Sequence, residues 1–170
     1  TMLPSIKNIL YATDLSKNSA FAFRYAVKLA KEMDAKVTIL YILPIVDSAM
    51  EVAIITQMGE DKYYKLREEK SREAIEKIEE RIRGFSVKEL KDVECKKEIV
   101  TSIMVHEGDA VDEILKTAED LSSDIVILGA HGKGILAHTF LGSVPQKVLR
   151  RSRRPVLIVP IPKDAKDLDL

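Results

Sequence analysis

With 46% hydrophobic and 32% charged residues, the 170-residue chain has material for one domain with a proper core and too little for two ordinary ones. No apolar run approaches the ~20 residues of a membrane helix, and 27 basic against 27 acidic residues argue against a grip on nucleic acid through excess positive charge. The single cysteine, Cys95, excludes an internal disulfide and a cysteine-rich metal site and fits a reducing cytoplasm. No long apolar stretch follows Lys7, so no secretory signal is expected.

Ile6 to Thr13 reads as a buried strand with Asp14 just past its carboxyl end. Ser16 or Asn18 is placed to cap the next segment, a helix over Ala20 to Met33 in which Phe23, Val27, Ala30 and Met33 recur at helical spacing. Lys36 to Leu43, rich in β-branched residues and stopped by Pro44, predicts a second strand. Ile45 to Gly59 is apolar without a clean period and is read as a loop or short helix covering part of a site or a partner surface. A long charged helix is predicted from Glu60 to Arg83, with Leu66, Ala74, Ile75, Ile78 and Ile82 as its apolar stripe and Gly84 as its stop.

Glu98 to Val105 is the expected third strand, and Asp109 begins a helix carrying Val111, Ile114, Leu115 and Ala118. Asp124 to Leu128 is the fourth strand, Val144 to about Arg151 the fourth helix, and Val156 to Val159, bracketed by Pro155 and Pro160, the fifth strand. Nearly all-apolar strands alternating with helices predict an α/β fold: three layers, α/β/α, around a five-stranded parallel sheet. The expected organisation is a single domain over residues 1–162 and a polar tail over 163–170.

With strand order 3-2-1-4-5, ligands would sit beyond the carboxyl ends of strands one and four, where the direction of winding reverses. Asp14 ends strand one and Gly129 ends strand four, so both belong to that crevice, with Ile42 on its apolar side. Gly129 and Gly132 allow sharp turning and close approach to a ligand. Gly142 and Ser143 open the final helix, where backbone N–H groups and a hydroxyl can meet phosphate oxygens at the positive end of the dipole. Pro145 falls in the first turn, where its missing N–H costs little. Asp14 can accept a ribose hydroxyl or orient a metal-bound water, while Thr13 and the backbone of Ala12 can face a base. Turn chemistry alone would also account for each glycine. The loop is not a Walker A motif, because Gly134 follows Lys133, and not a dinucleotide fingerprint, because it follows the fourth strand.

Taken together, the pattern resembles the universal stress protein family. The ATP-binding motif of that family is Gly, two residues, Gly, nine residues, then Gly and Ser or Thr, which Gly129, Gly132, Gly142 and Ser143 reproduce. Tyr11-Ala-Thr-Asp14 is similar to the family's opening, Gly108 to Ile114 to its segment after strand three, and Leu141 to Val144 with Arg153 to Val159 to its ending. The resemblance implies a Rossmann-like fold of the adenine nucleotide alpha hydrolase type and a homodimer that binds ATP. It implies a nucleotide site made by Ala12, Thr13, Asp14, Ile42, Gly129, Ala130, His131, Gly132, Lys133, Gly142, Ser143 and Val144. ATP-binding relatives often have Pro where this chain has Ala12, and Ser or Thr where it has Pro145.

Lys133 offers the phosphates a mobile counter-charge. Three histidines without ligand spacing argue against a zinc site, so Mg²⁺ or Mn²⁺ would be carried by the phosphates rather than by protein ligands. No catalytic residue is assigned. Arg150, Arg151, Arg153 and Arg154 form the dense basic cluster and read as the cationic end of the last helix, about 12 Å from its N-terminus. Val156 to Val159, a β-forming edge, is expected to pair with its own copy in a two-fold dimer. The leading functional reading is a nucleotide-dependent regulatory or stress-response protein. A slow ATPase or phosphoryl-transfer enzyme at the same site, and a structural dimer without ligand, are the alternatives.

Overall fold

A computed structural model describes residues 3–89, 99–131 and 141–162. The elements are β1 (Asn8–Thr13), α1 (Lys17–Met33), β2 (Lys36–Pro44), α2 (Ser48–Met58), α3 (Glu60–Glu89), β3 (Val100–Gly108), α4 (Ala110–Asp120), β4 (Ile125–Gly129), α5 (Ser143–Arg151) and β5 (Val156–Val159). All five strands are parallel, in the order β3-β2-β1-β4-β5, as the sequence predicts.

Alternation along the strands sends side chains to two separate cores. Ile9, Tyr11, Val37, Ile39 and Ile127 face Phe23, Ala26 and Ala30 of α1 and Ala74 and Ile78 of α3. Leu10, Ala12, Leu40, Val126 and Leu128 face Val111, Ile114 and Ala118 of α4 and Val148 of α5. Because both faces are covered, the strands carry few polar residues, and this gave them their continuous apolar signature.

The helix starts follow side-chain chemistry. Ser16 caps α1, its Oγ accepting from the Ser19 amide at 3.2 Å; Asn18 lies inside the helix and is buried. Asp109 caps α4, accepting from the amides of Val111 and Asp112 at 3.0 Å each. α1 ends on Asp34 in the left-handed region, φ 49°, a conformation that Asp tolerates better than most residues.

Several boundaries differ from expectation. α3 passes through Gly84 and reaches Glu89, because one exposed glycine costs a helix only about 1 kcal/mol. Its stripe includes buried Tyr63 and not Leu66, which is 39% exposed. Tyr63 lies three turns before Ala74 and shares its face, whereas Leu66 is rotated away. Met33, at the end of α1, is also exposed. The described part of β3 begins at Val100 and continues to Gly108, paired with β2 through Ile42↔His106, Leu43↔Glu107 and Pro44↔Gly108; the backbone ladder overrides the polar side chains. The residues 45–59 contain a helix, α2, with no buried residue, followed by Gly59 at φ 89°. Cys95, Glu98 and the tail from Lys163 lie outside the described residues.

Candidate nucleotide site

β1 and β4 are direct neighbours, with Leu10↔Val126 and Tyr11↔Ile127 in register. The chain leaves β1 into α1, on one face of the sheet, and follows β4 with α5 on the other. The space beyond the ends of β1 and β4 is therefore the switch point, and Asp14 and Gly129 both border it.

The turn after β1 is held by short-range bonds. Thr13 Oγ1 accepts from the Leu15 amide at 3.1 Å and lies 2.9 Å from Ser19 Oγ. The Thr13 hydroxyl is thus committed within the protein, leaving backbone as its contribution to a ligand. Asp14 Oδ1 accepts from the Ser16 amide at 2.9 Å. Leu15 takes φ 63°, left-handed backbone that is uncommon for such a residue, and its carbonyl accepts from Arg81 Nη2 at 2.8 Å. Ala12 is buried, and Ile42 is partly buried against the α4–α5 side of the sheet.

On the β4 side, the reason for the first glycine differs from the expected one. A Cβ on Gly129 would lie 3.2 Å from the carbonyl carbon and oxygen of Asn18 and from Ser19 Cα. The absent side chain admits the first turn of α1, whatever a ligand requires. Ala130 donates its amide to Val159 at 2.9 Å and accepts from the Gly142 amide at 2.8 Å. Asn18 Nδ2 donates to the His131 carbonyl at 2.7 Å. The Gly142–Ala130 and Asn18–His131 bonds fasten both ends of the connection between β4 and α5. Gly132 and Lys133 lie outside the described residues.

Gly142 is the N-cap of α5. A Cβ there would lie 3.3 Å from the Ala130 oxygen. Its N–H is spent on that oxygen, which corrects the expectation that it meets a phosphate. Pro145 has no N–H, so Ser143 and Val144 carry the open amides of the first helical turn. These amides sit at the positive end of the helix dipole and suit an anion. Beside them, Asn18 Oδ1 and His131 Nδ1 are buried without a hydrogen-bond partner among the described residues, polar capacity of the kind a bound polar molecule or water satisfies.

The electrostatics around β1 follow from burial. The Tyr11 hydroxyl donates to the Ser19 carbonyl, and burial pushes the phenol up to about 12. Tyr41 is raised too, first by burial and then by the Asp14 carboxylate. At the opposite end of the strand, Asp124 accepts from the amides of Lys7 and Asn8 at 2.8 Å each, which holds its carboxyl below the usual range. Two of the clustered arginines serve α4: Arg151 pairs with Asp112 at 2.8 Å and Arg154 with Glu119 at 3.0 Å.

A model of the Universal stress protein family matches residues 5–160, a span that includes both halves of this crevice. The chain belongs to the universal stress protein family. Among its relatives, Universal stress protein MJ0577 of Methanocaldococcus jannaschii is 35% identical over 165 residues, covering 90% of this chain and 94% of the relative. Universal stress protein MJ0531 of the same organism is 31% identical, covering 92% and 84%. The solved structure of MJ0577 superposes with a TM-score of 0.73 at 26% identity, covering 94% of this chain and 99% of that one. The five-stranded order and the three-layer arrangement are those of the family fold.

Three residues that border the candidate site were not singled out for it from the sequence. Asn18 carried a weak signal, a polar residue in the first turn of an amphipathic helix. Ser19 was hidden among other small residues. Arg81 carried none, because it reaches the β1 turn from a helix whose position only the packed structure fixes. Among the described residues no helix is long and apolar enough to cross a membrane.

Proposed function

We propose that the protein is an ATP-binding member of the universal stress protein family whose nucleotide state governs its assembly or partner contacts. One observation carries this reading. The open amides of Ser143 and Val144, at the start of α5, sit on a connection fastened by Ala130 to Gly142 and by Asn18 to His131. Asp14 comes to the same switch point from β1. An anion cradle and a carboxylate on one crevice suit a molecule with phosphates at one end and ribose hydroxyls at the other.

In this reading Ala12, the Thr13 backbone and Ile42 border the base, and Asp14 accepts from the ribose. Gly129, Ala130, His131, Gly132, Lys133, Gly142, Ser143 and Val144 surround the phosphates, with Ser143 and Val144 donating. Mg²⁺ or Mn²⁺ would be held through phosphate oxygens, adding positive charge without a dedicated set of protein ligands. Binding is favoured over turnover, since hydrolysis needs a positioned water, a base and concentrated cationic charge, for which the sequence offers only Asp14, His131 and Lys133. Among the described residues β5 pairs only with β4, and its outer edge, Val156 to Val159, suits a two-fold contact with a second copy.

Mass spectrometry of natively purified protein should find an adenine nucleotide retained, and Mg-ATP should raise the melting temperature. The absence of both a retained nucleotide and a shift would refute the reading. Single-turnover ADP release would separate a binder from a slow ATPase.

A further inference from the structure

We propose that Arg81 is a positioning residue for the nucleotide, holding the turn after β1 in the shape that presents Asp14; this rests on the nucleotide reading above. Leu15 is the constrained residue of this turn. Its φ of 63° is disfavoured for a leucine, and such backbone persists only where its surroundings hold it. Three contacts do so. The Leu15 side chain is buried in the core shared by α1 and α3, its amide donates to Thr13 Oγ1, and its carbonyl accepts from Arg81 Nη2 at 2.8 Å. A left-handed residue between a strand and a helix turns its carbonyl away from both ladders, so its partner must come from elsewhere. Arg81 supplies a charge-assisted bond from a helix 66 residues away in sequence.

The delivery of that guanidinium is built into α3. Ala74 and Ile78 are buried against the sheet and Ile82 packs beside them. Arg81, three residues after Ile78, sits at the border of that stripe. Arg81 and Asp14 also act on the Tyr11 phenol in opposite senses, the first lowering and the second raising its pKa, which fits both charges lying near the end of β1. Asp14 immediately precedes Leu15, and its Oδ1 is engaged by the Ser16 amide one residue beyond it. A rotation of Leu15 out of the left-handed region would therefore move the carboxylate that the ribose meets.

Calorimetric titration of the full chain with ATP in Mg²⁺, and separately with adenosine, tests this. Arg81→Met is expected to weaken both ligands by a common factor of about tenfold, equivalent to about 1.4 kcal/mol, because the ribose is common to both. Arg81→Lys, which keeps a cationic donor, is expected to recover most of the loss. Arg72→Met, an exposed position on the same helix, should leave both affinities unchanged. If Arg81→Met does not fold, Arg81→Gln, too short to span the gap, should show the same paired weakening. ATP weakened with adenosine unaffected would overturn positioning in favour of a direct phosphate contact. Wild-type binding matched by the folded Arg81 variants would overturn the inference alone. Wild-type protein that binds neither ligand would overturn the nucleotide reading and this inference with it.

Discussion

Gly129→Ala separates a packing role from a ligand role at the first glycine of the loop. The residue is not left-handed, so alanine costs no backbone strain, and the perturbation is a single methyl group. That methyl would stand 3.2 Å from three backbone atoms of Asn18 and Ser19, several tenths of an ångström inside ordinary carbon contact. Backbone at the start of a capped helix cannot swing aside like a side chain. α1 must therefore shift against β4, an overpacking cost of about 1–3 kcal/mol. For a domain of this size that is a fall in Tm of roughly 2–4 °C per kcal/mol. Gly84→Ala is the matched control: a Cβ there meets nothing within 4 Å and the site is helical, so it should stabilise by about 0.5–1 kcal/mol. Urea denaturation of both variants gives the comparison. Gly129→Ala with unchanged stability and abolished ATP binding would refute the packing argument and restore ligand approach as the reason for the glycine.

Three further outcomes are expected. Tyr11 loses its proton at about 10 when unfolded but only at about 12 when folded, so above pH 10 the native state binds more protons and stability falls as pH rises toward 12; Tyr11→Phe should flatten that part of the stability–pH profile. Asn18→Ala removes the bond to the buried end of the loop at His131 and should cost about 1–3 kcal/mol while weakening ATP, measured by denaturation and by calorimetry on the folded protein. Asp109→Ala strips the α4 cap of both its amide bonds and should cost about 1 kcal/mol by urea denaturation.

The candidate site was legible in the sequence in proportion to how local its signals were. Asp14 follows a run of buried residues, and Ser143 and Pro145 open a helix in a way that capping rules anticipate. The spacing of Gly129 and Gly142 located both ends of the connection, although neither glycine does quite what its type suggested. Gly129 makes room for α1, and Gly142 gives its amide to Ala130. Those partners come from chain neighbours in space and not in sequence, so no local rule could name them. The same holds for Tyr63, whose burial on α3 depends on which distant segments pack against that helix.

What the sequence by itself determined was the alternation of buried strands and amphipathic helices, hence a parallel sheet covered on both faces. Periodicity and cap chemistry carry that information because they act within a few residues. Only the tertiary structure decided that Leu15 adopts left-handed backbone, that Arg81 bonds its carbonyl, and that Asn18 holds the start of the loop. Each of these is a hydrogen bond or a steric fit between segments far apart in the chain, and it exists only once the sheet has brought them into contact.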